Sequence, residues 1–406
     1  MPAFVQALAV VPARAARTNA SAQGLRVTRV RLRDLSASDI AQWAELAESS
    51  SQPNPFWHPD FVLPAAMVLA PRNTVELVVA HSGDGWLGCL PVCHASRGPL
   101  HLLASFTNAY CFDGTPLIAG GREEQVAEAL VAHLEREVRG ALWLPTLVDG
   151  PATTALIAAL GESRNLEIAE ERSWGRSVLT EKGAGELASR LGKKARSELR
   201  RRRRRLADDL GAAPRCKPLD SGDAVLNECL RVEASGWKGK AGTALACDPH
   251  HAGFFRQVAR AFDARGAFVA YGLLVGDRLA AFVTALSAGG QLFAFKRGYD
   301  EGLRRYAPGR LLDIDFADYF VRERPERLVD SCCGRGDDVM AGLWPERRGV
   351  RSLLVTRGWA LRAATRVALP AYRGARRALV ATGTRATGGA RLLRSRLASG
   401  GARPGE

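Results

Sequence analysis

The chain has 406 residues, 47% hydrophobic and 24% charged, with a formal net charge of +15. That length exceeds one ordinary core, so two domains are expected, and the composition is that of a globular protein rather than a disordered or fibrous one. No stretch approaches the roughly 18 uncharged apolar residues that span a bilayer, which argues against a helical membrane protein. The excess of cations points to polyanionic company: phosphates, nucleic acid or an anionic lipid surface.

In chain order, Met1–Ala22 holds a short apolar run with Arg14 and Arg17 after it, the reverse of a secretory signal, so 1–25 reads as a disordered N-terminus. A first helix is predicted over Ser36–Leu46, with Ser36 or Ser38 as N-cap, and Asn54-Pro55-Phe56-Trp57 breaks it. A hairpin follows: Val75–His81, a Ser82–Gly85 turn, then Trp86–Cys93. A polar and aromatic loop spans Phe106–Asp113, then a helix at Glu123–Val138, a buried strand at Ala141–Leu147 and a helix at Ala152–Leu160. Between Glu171 and Ala184 apolar residues thin out and glycines recur, which places a domain boundary there, between units at 26–180 and 185–358.

The second half opens with a predicted long helix, Gly185–Leu210. Leucines at spacings of four and seven make one apolar stripe, and Lys193, Lys194, Arg196 and Arg200–Arg205 lie partly opposite it. A hairpin, Ala267–Leu274 and Leu279–Leu286, leads to a strand Gln291–Lys296, a loop Arg297–Ala307 and a helix from Pro308 to about Arg322. Arg327–Cys332 is a final buried strand, parallel to Gln291–Lys296 across the helical crossover. The same hairpin-then-crossover order in both halves predicts two related α/β units of layered α+β type, with mixed sheets flanked by helices. Residues 360–406 form a basic tail, with an amphipathic helix expected over Leu361–Leu379 and disorder from Gly383.

Eight cysteines without a CxxC pair read as reduced, mostly buried thiols, and seven histidines without an HxxxH spacing give no metal site. The stretch Tyr299–Leu312 carries the strongest chemical signal. Pro308 suits a first helical turn, Gly309 permits close approach, and free amides of Gly309, Arg310 and Leu311 are expected at the helix mouth as an anion site. Arg304, Arg305 and Arg310 add charge that can grip phosphates. Asp330, at the end of a buried strand, and Asp300, in the loop, are candidate bases, with Asp315 and Glu233 as lesser ones. Tyr299 is a candidate proton donor to a leaving group. Trp237 and Lys238 sit in a Gly-rich segment suited to a binding wall.

The runs Leu292–Asp300 and Tyr306-Ala307-Pro308-Gly309-Arg310-Leu311-Leu312, with Glu233–Leu245 and Asp330–Trp344, resemble a branch of the GNAT superfamily. That branch comprises the cellulose-biosynthesis-type acetyltransferases, distant relatives of the Fem peptidoglycan aminoacyltransferases. The resemblance implies tandem GNAT-like domains, the second binding acetyl-CoA or another acyl-CoA as co-substrate through Phe295, Lys296, Arg304, Arg305, Pro308, Gly309, Arg310 and Leu311. It implies transfer of the acyl group to an amine or hydroxyl on a small-molecule or glycan-precursor acceptor, with Trp237, Lys238 and Arg335 as substrate-binding candidates. Gly336–Trp344 stands where many members carry a Tyr-Lys pair, and the simpler Gln/Arg-x-x-Gly-x-Gly/Ala phosphate loop is replaced by Arg305–Arg310. A cytoplasmic location, peripheral to the inner membrane through the tail, is expected. The arginine-rich helix raises a Fem-type alternative that takes its acyl group from aminoacyl-tRNA, and the tail raises a non-catalytic accessory at the membrane surface.

Overall fold

Ser36 shows how local chemistry starts the elements of this fold. Its hydroxyl accepts from the Asp39 amide at 3.1 Å while its own amide donates to the Asp39 carboxylate at 2.8 Å, a reciprocal capping box that opens α1 (Ala37–Ser49). Proline fills the first turn of α2 (Pro59–Leu69), α4 (Pro151–Glu162), α9 (Pro249–Asp263) and α10 (Pro308–Glu323), where a missing N–H costs nothing. The computed structural model describes residues 24–70, 74–83, 85–97, 100–138, 140–334 and 339–358. The expectations for residues 1–23 and for the basic tail lie outside the described residues.

The first unit runs β1 (Arg26–Arg31), α1, α2, β2 (Val75–Ser82), β3 (Gly85–Arg97), β4 (Leu100–Ser105), the short β5 (Leu117–Ile118), α3 (Glu123–Glu137), β6 (Ala141–Val148), α4 and β7 (Leu166–Thr180). After it come α5 (Glu181–Arg190), α6 (Lys193–Leu210), β8 (Pro214–Pro218), α7 (Asp223–Ala234), α8 (Trp237–Lys240), α9, β9 (Phe268–Val275), β10 (Arg278–Ala288), β11 (Gln291–Tyr299), α10, β12 (Leu328–Asp330) and β13 (Glu346–Arg357). Each half builds an antiparallel meander and then crosses through a helix to a parallel neighbour, β4 beside β6 and β11 beside β12; the order of elements in the sequence predicts the second pair, whereas β4 is not among the expected strands.

All these strands join one 13-stranded mixed sheet, ordered β1-β2-β3-β4-β6-β13-β7-β12-β11-β10-β9-β8, with β5 paired to β3 off that path. β13 inserts antiparallel between β6 and β7, so the last described strand closes the first unit's half of the sheet although its sequence falls in the range assigned to the second. The glycine-rich stretch read as a boundary is the end of β7 and the start of α5. Its strand pattern is hidden because most of β7 is only half-buried and carries Glu170, Glu171 and Arg172. The single helix expected over Gly185–Leu210 is two, broken at Leu191-Gly192, where Gly192 takes an extended conformation as the N-cap of α6.

The core also ignores the boundary. Phe56 and Phe61 of the first unit meet Phe293, Phe254 and Phe295 of the second edge to face, with ring centroids 5.3–6.1 Å apart within this cluster. A second cluster under α10 contains Leu312, Phe316, Phe320 and Trp344. Burying each such aromatic contributes about 1.5–3 kcal/mol, so separating the halves would expose a costly face.

A polar knot sits at the seam. Arg176 of β7 is 2% exposed and Asp330 of β12 is 0% exposed. Arg176 Nη2 donates to Asp330 Oδ2 at 2.7 Å, its Nε lies 2.6 Å from Oδ1, and its Nη1 donates to the Phe112 carbonyl at 2.6 Å. Arg348 of β13 approaches Asp330 to 3.5 Å. Beside them Asp113 is fully buried, its Oδ1 accepting from the Thr115 amide at 2.8 Å. Burial pushes the Asp113 carboxyl up to about 6, against the pull of Arg176, Thr115 and Arg348. A carboxyl whose folded pKa is raised binds its proton more readily when folded. Its stabilising share is therefore complete below about pH 4 and lost as pH rises through about 6. Asp113→Asn, which keeps the acceptor oxygen and removes the titration, is expected to stabilise the chain more at pH 7.5 than at pH 4.5; urea midpoints at the two pH values check this.

Candidate functional site

The site is built where two parallel strands part. β11 and β12 pair only at Gln291↔Leu328, Leu292↔Val329 and Phe293↔Asp330. Beyond that, β11 continues to Tyr299 while the other chain turns away, Cys332 taking φ 52°. On its other edge β11 slips against β10, with Thr284 opposite Lys296 and Ala285 opposite Ala294, so Phe295 is the extra residue of a bulge. The Thr284 hydroxyl holds the bulge by accepting from the Lys296 amide at 3.1 Å and donating to the Lys296 carbonyl at 3.2 Å.

On the α10 side of this wedge lies a cleft of about 350 Å³, lined among others by Arg297, Tyr299, Arg304, Gly309, Arg310 and Asp313. Ala307 adopts the left-handed conformation at φ 53°, which aims the N-terminus of α10 at the cleft. The expected three-amide nest is not there: the Arg310 and Leu311 amides donate to the Ala307 carbonyl at 3.0 and 3.1 Å, leaving Gly309 at the mouth. The arginines divide their work. Arg297 is held by Asp313 at 2.7 and 2.9 Å; Arg305 turns away to Asp209 at 2.9 Å; Arg304 is exposed, 3.4 Å from Glu301. Arg310 makes no ion pair among the described residues, and burial lowers its affinity for its own proton. An unpaired guanidinium beside a helix mouth fits a phosphate. Leu311 is buried, so its side chain serves the core, whereas Pro308, also buried, still lines the cleft.

On the opposite side, Phe295 is 4% exposed and stacks on Phe255 at 5.9 Å. Its side chain is core, which leaves its backbone as the part able to meet a cofactor. Lys296, expected at the cofactor, instead faces the first unit: its Nζ stands 3.8 Å from the ring centroid of Tyr110 and makes no hydrogen bond among the described residues. Burial pushes the Lys296 ammonium down to about 7; Glu233 opposes that shift and Lys238 reinforces it. Glu233 is itself engaged, accepting from Lys238 Nζ at 3.2 Å and from the Leu245 amide at 3.0 Å, so it pins the Gly-rich segment. Within that segment a Cβ on Gly239 would lie 1.8 Å from the Ala234 carbonyl oxygen, which is why glycine stands there.

The candidate carboxylates are committed to structural partners. Asp330 is wholly enclosed by Arg176 and the Cys332 amide, 2.9 Å away. Asp300 caps the turn at Gly302 at 2.9 Å and holds Arg278 at 2.6 and 3.0 Å. Asp315 pairs with Arg203 at 2.9 Å. Tyr299 does line the cleft, its hydroxyl pushed up by burial and by Glu301. Trp237 opens α8, and Arg335 lies outside the described residues. Sequence reasoning missed Tyr110, Arg176 and His251 because each reaches the site only through the pairing of the two halves.

A wedge with a cationic cleft on one side and a lysine near neutrality on the other can hold an anionic donor and accept a proton at the far side. Residues 193–338 match the family model described as an acetyltransferase (GNAT) domain. Among solved structures, FemX superposes with a TM-score of 0.50 at 9% identity, covering 81% of this chain and 98% of that one. A conserved protein of unknown function from Bacteroides thetaiotaomicron gives a TM-score of 0.49 at 14% identity, covering 80% and 98%. A tandem GNAT protein from the clavulanic acid biosynthesis pathway gives 0.43 at 17% identity, covering 82% and 99%. No curated protein matches the sequence. Residues 193–338 are thus similar to a GNAT acetyltransferase domain, and they lie within a mixed α/β fold whose one large sheet is flanked by helices.

Proposed function

We propose that the chain is an acyltransferase that moves an acyl group from acyl-CoA to an amine or hydroxyl. The carrying observation is the parting of β11 from β12 between the Arg310 cleft and Lys296. When bound, acyl-CoA supplies a thioester carbonyl already activated for attack. Arg310 and the Gly309 amide neutralise its phosphates at the mouth of α10. Lys296, as free amine, takes the proton from the acceptor nitrogen or oxygen as that atom forms its bond to the carbonyl carbon and the C–S bond breaks. Tyr299, lining the cleft, returns a proton to the departing thiolate. This reading moves the base from Asp330 and Asp300, whose oxygens are committed to Arg176, Arg278 and backbone amides, to Lys296, which burial brings down to about 7 and which makes no hydrogen bond among the described residues.

Arg310→Ala is expected to weaken binding of acetyl-CoA by about 10-fold without unfolding the chain, since about 1–2 kcal/mol is the worth of one charge-assisted contact at a partly open site. Titration calorimetry with acetyl-CoA and longer acyl-CoAs reads this directly; absence of heat from every thioester would end the acyl-CoA reading. A sugar or envelope-polysaccharide acceptor rests on the sequence resemblance, and work in the cytoplasm beside the membrane rests on the basic tail. Among the described residues no helix is long and apolar enough to cross a membrane.

A second reading rests on α6. Lys193, Lys194, Arg196, Arg200, Arg204 and Arg205 are exposed along it, and Arg305 reaches Asp209 at its end, so a cationic strip runs toward the cleft. An aminoacyl-tRNA donor would use such a strip, and its binding would weaken steeply with salt.

A further inference from the structure

The first unit does more than support the second. We propose that Tyr110, carried on the loop between β4 and β5, is a positioning residue for the reaction: its ring walls Lys296 off from water and fixes the ionisation of that amine. This rests on the reading of Lys296 as the proton acceptor.

The geometry is over-determined. Tyr110 is 6% exposed, and its ring stacks on Phe254 of α9 with centroids 5.5 Å apart. Its hydroxyl lies 3.1 Å from His251 Nδ1, and its amide donates to Asn108 Oδ1 at 2.8 Å. Two residues on, Arg176 holds the Phe112 carbonyl at 2.6 Å and so ties the loop to Asp330 at the end of β12. The Lys296 amine stands 3.8 Å from the ring centroid so placed. The charged groups that face it from neighbouring elements are Glu233 of α7 and Lys238 of α8, while His251 and Asp248 lie beyond the ring.

The ring acts on the amine in two opposed ways. It excludes water, which disfavours the ammonium, and it offers a negative π face, which favours it. Burial pushes the Tyr110 hydroxyl itself up to about 12, so the ring stays neutral while Lys296 titrates. Burial lowers the affinity of Lys296 for its proton, the direction that exclusion of water gives.

Three substitutions separate the effects. Tyr110→Ala admits water and is expected to raise the Lys296 pKa by a unit or more, a tenfold or greater gain in proton affinity. Tyr110→Phe keeps the ring and leaves the pKa within about 0.3 unit. Tyr110→Leu keeps the wall and loses the π face, so the pKa falls below the native value. The readout is the rate at which N-acetoxysuccinimide labels Lys296 in the full chain from pH 5 to 10, followed by peptide mass spectrometry, alongside the pH profile of kcat/KM. Packing alone would change amounts of folded protein without moving the labelling midpoint. If the Ala variant does not fold, the Leu and Phe pair still decides. Labelling midpoints identical to native in every folded variant overturn the proposal. A moved labelling midpoint with an unmoved rate profile sustains Tyr110's hold on Lys296 and removes Lys296 as the base.

Discussion

Lys296→Met is expected to lower the rate of acyl transfer by about 10²–10⁴-fold, the range general-base catalysis supplies, while leaving acyl-CoA binding unchanged. The aliphatic stem is retained, so the aromatic wall has something to pack on, and only the proton acceptor is lost. On the proposed reading, the native chain should lose acyl-transfer activity as pH falls through about 7, because the ammonium has no lone pair to offer, and the variant should show no such limb. A second consequence has the opposite sign. A lysine whose folded pKa is depressed weakens the fold wherever the unfolded chain holds the proton and the folded chain does not. The variant is therefore expected to melt higher than the native chain at neutral pH. Single-turnover rates, calorimetry with acyl-CoA and a thermal melt together check the pattern; a rate within threefold of native would return the search to Tyr299 or to the acceptor's own groups.

Arg176→Met carries the largest expected effect on stability. Arg176 and Asp330 are both essentially without solvent, and removing the cation strands a carboxylate and the Phe112 carbonyl. Breaking a buried pair from one side costs about 3–5 kcal/mol, a large part of the 5–15 kcal/mol that holds a typical domain. Adding Asp330→Leu should recover much of the loss, because the uncompensated charge then disappears with its partner. Urea unfolding of the two single variants and the double variant reads this cycle. A loss below about 1 kcal/mol for Arg176→Met would mean that the knot holds no more than a surface ion pair does.

The elements that could be read from the sequence are those whose own residues announce them. The hairpins at β2–β3 and β9–β10 are apolar runs joined at turn glycines, and α10 has Pro308 in its first turn. The lining of the cleft was legible for the same reason: Tyr299, Gly309 and Arg310 are close in sequence and gather at one helix end. β7 was read as a gap because a strand in mid-sheet with half-exposed faces shows little alternation, and its buried Arg176 looks polar without its partner. The far side of the wedge was illegible for a deeper reason. Asp330 and Asp300 look free as letters and are spent in space, while Tyr110, Glu233, His251 and Lys296 come from four distant segments that only the folded seam assembles.

The insertion of β13 between β6 and β7 bears on how the chain is made. As a ribosome releases it from the N-terminus, the first unit can complete its meander and its crossover, but the slot between two of its strands stays empty until residues 346–357 emerge. Two long strand edges then remain unpaired through most of synthesis, the kind of surface that invites association with other chains. Closing the slot requires contacts between residues 168–215 positions apart, a demand that slows folding. The two halves of this chain therefore reach their final form together, and a shortened transcript ending before Glu346 would leave the N-terminal half without its closing strand, not as an independent domain.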